Sequence, residues 1–191
     1  MKPIIFAVFI CFILLNGCKN AHEPSVEKSN VDTTTFFDIK SFFQNEIQQV
    51  KATPYFIYRI KTNDQNKKDS TVISTTEFAQ VANVFTQFDI RSNAMKQHYS
   101  ENVFNDLSTK SITLNYTTSQ KDLPVKSIDV LLDNEKNTVK RIFIKSIQDD
   151  ADSSIIHQYS WKAGKSFLIT TTILKKQGKT ATSQQYVNWN E

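Results

Sequence analysis

From Ser111 to Trp189 apolar and polar residues alternate in runs of about ten, each closed by a short polar turn. Ile112, Leu114 and Tyr116 share one parity, and Ile128, Val130 and Leu132 share the next. Val139 to Ile147 follows the turn Asp133–Asn137 and ends at Gln148–Asp152. Ile155, His157, Tyr159 and Trp161 alternate before Lys162–Lys165. Phe167, Ile169, Thr171 and Ile173 alternate before Lys176–Lys179, and Thr180 to Trp189 completes the series. Side chains of a strand point to opposite faces in turn, so a period of two marks a strand buried on one side. Short turns leave neighbouring strands antiparallel. The segment can therefore fold as a meander and as little else.

The amino-terminal half has a different rhythm. Phe36, Ile39, Phe43, Ile47 and Val50 recur at three and four, which predicts a helix. Thr35 and Asp38 resemble its capping box, Phe37 and Phe42 widen its apolar face, and Pro54 closes it. Tyr55 to Lys61 reads as a strand, with Phe56, Tyr58 and Ile60 on one face and Tyr55, Ile57 and Arg59 on the other. Ser70 to Ile73 returns as the second arm of a hairpin. Ser74 and Glu77 form a capping box opening a helix with Phe78, Val81, Ala82, Phe85 and Phe88 on one face. A helical piece is expected over 92–99. Residues 100–110 read as an irregular loop or short helical turn, with Val103, Phe104 and Leu107 pinned to the core. The expected fold class is α+β: amino-terminal helices packed on a long, curled antiparallel meander of about eight strands, forming one domain over 36–191. A sheet of that size usually curls, which makes a half-barrel around the first helix one form it could take.

Residues 1–35 carry a separate message. Lys2 precedes an apolar run from Ile4 to Leu15 that is too short to span a bilayer, which needs about 20 apolar residues. The run ends in Leu15-Asn16-Gly17-Cys18. This arrangement resembles the signal sequence and lipobox of bacterial lipoproteins, with Asn16 departing from the commoner Ala or Ser. The resemblance implies that residues 1–17 are removed and that Cys18 is acylated. An ordinary signal peptide with an incidental cysteine and an uncleaved helix are the alternatives. Residues 18–35 then comprise the lipidated cysteine and a polar tether spanning about 20–25 Å. Several acyl chains together give stable membrane anchoring. Lipoproteins exported to the surface of Bacteroidetes-type bacteria carry an acidic stretch after the cysteine. Lys19-Asn20-Ala21-His22-Glu23 is not acidic, so the resemblance implies the cell envelope, at the periplasmic face of the outer membrane.

Composition narrows the chemistry. A formal charge of +4 with acidic and basic residues interleaved gives no case for nucleic acid. Cys11 leaves with the signal and Cys18 is acylated, so the folded part has neither thiol chemistry nor a disulfide. Only Gly164 and Gly178 follow the leader, which excludes a Gly-rich phosphate loop. The histidines His22, His98 and His157 have no metal-ligand spacing, and no nucleophile motif is present. Asp149, Asp150 and Asp152 lack the glycine and distal glutamate of a calcium loop and read as a solvated turn. Asp129 and Asp133 could act as an acid–base pair only if their separation in space allowed it. No enzyme, metal or cofactor is expected.

Aromatic residues at strand ends remain. They can line a ligand pocket or serve as ordinary core. The candidate ligand-binding residues are Phe43, Ile47, His157, Tyr159, Trp161, Ile169 and Trp189. Val139–Ile144, Trp161–Phe167 and Val187–Asn190 resemble segments of small lipoproteins of unknown function from Bacteroidetes-type bacteria. That resemblance implies no activity. The expected function is a membrane-anchored, non-catalytic binding or interaction module for an envelope protein or hydrophobic ligand. The alternative is a carrier for a lipid or lipoprotein, similar in outline to the outer-membrane lipoprotein receptor with its half-open barrel. A carrier needs a continuous apolar cavity lined by Phe43, Ile47, Ile169 and Trp161.

Overall fold

The computed structural model describes residues 36–190, so the leader, Cys18 and the tether lie outside the described residues. Among the described residues three α-helices and nine strands follow in chain order. They are α1 (Ile39–Ala52), β1 (Ile57–Thr62), β2 (Lys68–Ile73), α2 (Thr75–Ala82), a 3₁₀ turn (Asn83–Gln87) and α3 (Asn93–Lys96). The meander then runs through β3 (Ser100–Asp106), β4 (Ser111–Thr117), β5 (Val125–Asp133), β6 (Val139–Asp149), β7 (Ser153–Lys162), β8 (Ser166–Lys175) and β9 (Ala181–Asn188). All nine strands form one antiparallel sheet in the order β2-β1-β9-β8-β7-β6-β5-β4-β3. With 20% helix the domain is mostly β, and the sheet does not close.

The β1–β2 hairpin does not lead the meander. It pairs with the far end of the chain, Tyr58 opposite Asn188 and Thr62 opposite Gln184. The two edges are therefore β2 and β3, which adjoin in sequence but lie eight strand spacings apart, about 38 Å along a flat sheet. The link from Ser74 to Tyr99 crosses the sheet carrying α2, the 3₁₀ turn and α3.

Helix starts follow the side-chain chemistry. The Asp38 carboxylate accepts from the Ser41 backbone N–H at 3.0 Å. At α2 the capping box is complete: Glu77 N–H donates to Ser74 Oγ at 3.2 Å, and Ser74 N–H donates to Glu77 Oε2 at 2.9 Å. On α1 the buried residues are Ile39, Phe43, Ile47 and Val50. Phe43 and Phe85 meet Trp161 with ring centroids 5.2 and 4.9 Å away, and Phe78 meets Trp189 at 5.1 Å. Glu46 adds a polar clamp. Its Oε2 accepts from the buried Trp161 Nε1–H at 3.0 Å and from Gly164 N–H at 2.6 Å. Gly164, at φ +66°, turns β7 into β8 in the left-handed region that a glycine enters without strain.

One segment departs from the expectation. Residues 100–106 form strand β3, with Val103 opposite Leu114. Its sequence, Ser-Glu-Asn-Val-Phe-Asn-Asp, has little strand propensity, and pairing with β4 overrides this. Val103 packs against the core, but Phe104 and Leu107 are 60% and 74% exposed, so neither is pinned there. The following turn is organised by Asp106. The Ser108 and Thr109 hydroxyls donate to its carboxylate, and these bonds hold its pKa down to about 2.

Candidate binding groove

Strand register sorts the inner face into cross-strand rows. Val187, Phe167, Trp161, Ile142, Val130 and Leu114 form one row. Gln185, Ile169, Tyr159, Ile144, Ile128 and Tyr116 form the next. Ser183, Thr171, His157 and Ser146 form the third. Burial falls along this direction at β7 and β9. Trp161 and Val187 are fully buried, Gln185 and His157 are half-buried, and Ser183 is exposed.

An open groove of about 540 Å³ lies at the exposed end of these rows. Its floor carries Ile169, Thr171, Ser183 and Gln185, and its side is formed by Lys61, Asn63, Lys67 and Asp69. Two features of the chain build it. Strand β9 runs from Ala181 to Ser183 beyond its last pair with β1, leaving a step in the sheet. The β1–β2 turn stands beside this step. Asn63 Oδ1 accepts from the N–H groups of Gln65 and Lys67 at 3.1 and 2.9 Å, and Asn66 takes φ 59° to close the turn. A smaller recess of about 150 Å³, lined by Asn63, Asp64, Thr171, Ile173 and Ser183 among others, adjoins the groove.

His157 stands one strand from the groove. Its Nδ1 lies 3.0 Å from Thr171 Oγ1, and its ring lies 5.7 Å from that of Tyr159. Burial holds the imidazole pKa below its ordinary value. Burial also pushes the Tyr159 phenol up, against a hydrogen bond with Ser146 that lowers it.

The remaining candidate residues go elsewhere. Phe43, Trp161 and Trp189 are buried among one another and their neighbours, with Trp161 5.3 Å from Trp189 and stacked on Phe167 at 5.2 Å. Ile47 and Tyr159 are each 7% exposed. Of the four residues expected to line a carrier cavity, Phe43, Ile47 and Trp161 are buried in the core and Ile169 faces the groove. Asp129 accepts from Asn115 Nδ2, while Asp133 caps the β5–β6 turn by accepting from the N–H groups of Glu135 and Lys136. They lie four residues apart on β5, roughly 13 Å along an ideal strand, and each carboxylate has its own hydrogen-bond partners.

Lys61, Lys67, Ser183 and Gln185 were not candidates from the sequence. Their only sequence signal is Gln185, a polar residue on the same parity as the buried Val187. The groove itself depends on β1 pairing with β9, a contact between residues more than a hundred positions apart. Among the described residues no three of His, Cys, Asp and Glu come together as a ligand set, and no helix is long and apolar enough to cross a membrane. No protein-family model, no curated protein and no solved structure matches this chain.

Proposed function

We propose that the protein is a lipid-anchored envelope module that binds a partner non-catalytically through the uncovered end of its inner sheet face. The observation that carries this reading is the contrast along that face. Aromatic rings fill one end, while the other presents a groove of about 540 Å³ lined by two lysines, the Asp69 carboxylate, amides, hydroxyls and one isoleucine. A lining rich in hydrogen-bond groups suits recognition of a polar partner. In this reading the helices serve as cover for the core end of a curled sheet. Cys18 carries the acyl chains, residues 18–35 act as the tether, and the domain works at the periplasmic face of the outer membrane. The leader's resemblance to a lipoprotein signal supports that part.

Two experiments test the two halves separately. Labelled palmitate should enter the wild-type chain and not Cys18→Ala, and label in the variant removes the anchor. A photoreactive side chain at Gln185 should capture an envelope component in cells, whereas one at Gln48, exposed on α1, should not. Equal capture at both positions, or none at either, removes the groove as the binding surface.

A further inference from the structure

The groove and the start of the described chain lie at the same level of the sheet. The Phe37 backbone N–H donates to Tyr116 Oη at 3.0 Å. Tyr116 belongs to the same cross-strand row as Gln185 and Lys61, which runs on to Asp69. From there α1 climbs away, so that Glu46 reaches the β7–β8 turn at the opposite end. The chain therefore enters the described domain at the same end of the strands as the groove, beside β4 and six strand spacings from β1.

The charge at this end has a pattern. Lys61 and Lys67 line the groove. Lys68 follows on the β1–β2 hairpin, and the adjacent β8–β9 hairpin carries Lys175, Lys176 and Lys179 at its tip. None of these six ammonium groups has an ion pair among the described residues. Asp64 and Asp69 are the carboxylates of the same two hairpins, so the pair of tips is cationic on balance. The next hairpin, β6–β7, carries Asp149, Asp150 and Asp152, which confines the cationic surface to the two tips and the groove between them.

We propose that this groove takes the phosphate of an anionic phospholipid headgroup, with Lys61 and Lys67 as its cationic contacts, when the domain lies on the membrane that holds it. The inference rests on the anchor reading above. Lysine is a compact point charge suited to phosphate, and the Asn63, Gln184, Gln185 and Ser183 side chains can bond headgroup oxygens and hydroxyls. Basic side chains beside an anionic leaflet are attracted within about a Debye length of its surface. An anchor joined at this end of the strands, through a tether of about 20–25 Å, lets the two lysine-bearing tips turn towards that surface.

The test uses the mature acylated protein, residues 18–191, in vesicles of phosphatidylcholine alone or with phosphatidylglycerol. Lysine reactivity is read by reductive methylation and mass spectrometry. Lys61 and Lys67 should lose reactivity about fivefold in the anionic vesicles only. Lys136 and Lys165, at the opposite end, should not change. Reactivity should return at about 1 M salt, where the Debye length is about 3 Å. Unchanged lysines, or equal loss at both ends, overturn the inference. An equal loss from inorganic phosphate in neutral detergent assigns the groove to a soluble phosphate and overturns the membrane source. In Lys61→Gln/Lys67→Gln, both sites being exposed, Lys175 and Lys176 should lose most of their lipid-dependent protection. Full protection in that variant places the contact outside the groove and also overturns the inference. A chain without acyl mass fails earlier, in its intact mass, and shows that the anchor reading itself was wrong.

Discussion

Glu46 binds two N–H donors through one carboxylate oxygen, and one of them belongs to a fully buried indole. Removing the carboxylate leaves that donor unsatisfied in an apolar setting. Glu46→Ala should therefore lower stability by about 2 kcal/mol, read from urea unfolding. Glu46→Gln keeps an acceptor oxygen and should lose less, and an equal loss in the two variants would mean that the hydrogen bonds are not what Glu46 contributes. His157 gives a pH dependence. Its pKa is held below the ordinary 6.5 by burial, so the unfolded chain takes up the proton first as pH falls. Its contribution is complete above about pH 6.5 and is lost as pH drops through and below that value. Thermal melts of wild type and His157→Gln across this window should converge towards low pH, and parallel curves would remove the histidine as the cause. No signal in the sequence distinguished Glu46 from the other charged residues of α1, because its role depends on a tryptophan 115 positions away.

Elements with a strong local period were the legible ones. Strands β4 to β7 emerge from alternation, since each buries one parity of its apolar residues, whereas β8 and β9 bury only Phe167 and Val187 and are marked by the rhythm of the turns. The Ser74–Glu77 box marked the start of α2, and Ser74→Ala should lower stability by about 1 kcal/mol in chemical unfolding. Strand β3 was illegible because only Val103 among its inner-face residues is apolar, the other two being Glu101 and Asn105. The same reasoning predicts unequal costs for two phenylalanines. Phe85 is fully buried against Phe43, Trp161 and Phe167, and Phe85→Ala should cost about 3–5 kcal/mol. Phe104→Ala, at an exposed edge position, should stay within about 0.5 kcal/mol by the same assay. A large loss there would mean that the β3 edge is covered in solution.

At the scale of the whole molecule the sequence could indicate a meander and its helical prelude, but not how the two join. Periodicity is a local property, and nothing local in Tyr58 or Asn188 reports that they face each other. The groove, a product of that junction, was hidden for the same reason, whereas the aromatic core was visible as a set of residues without its geometry. The junction also has a consequence in time. A chain delivered from its amino terminus presents β1 and β2 early, yet the strand that docks them onto the sheet is the last to arrive. Until then β8 is paired on one side only, through β7, and the β1–β2 hairpin has no place in the sheet. Long-range pairing of this kind slows folding. For a chain exported as proposed, that delay is an advantage: the fold cannot close while its last strand is still in transit.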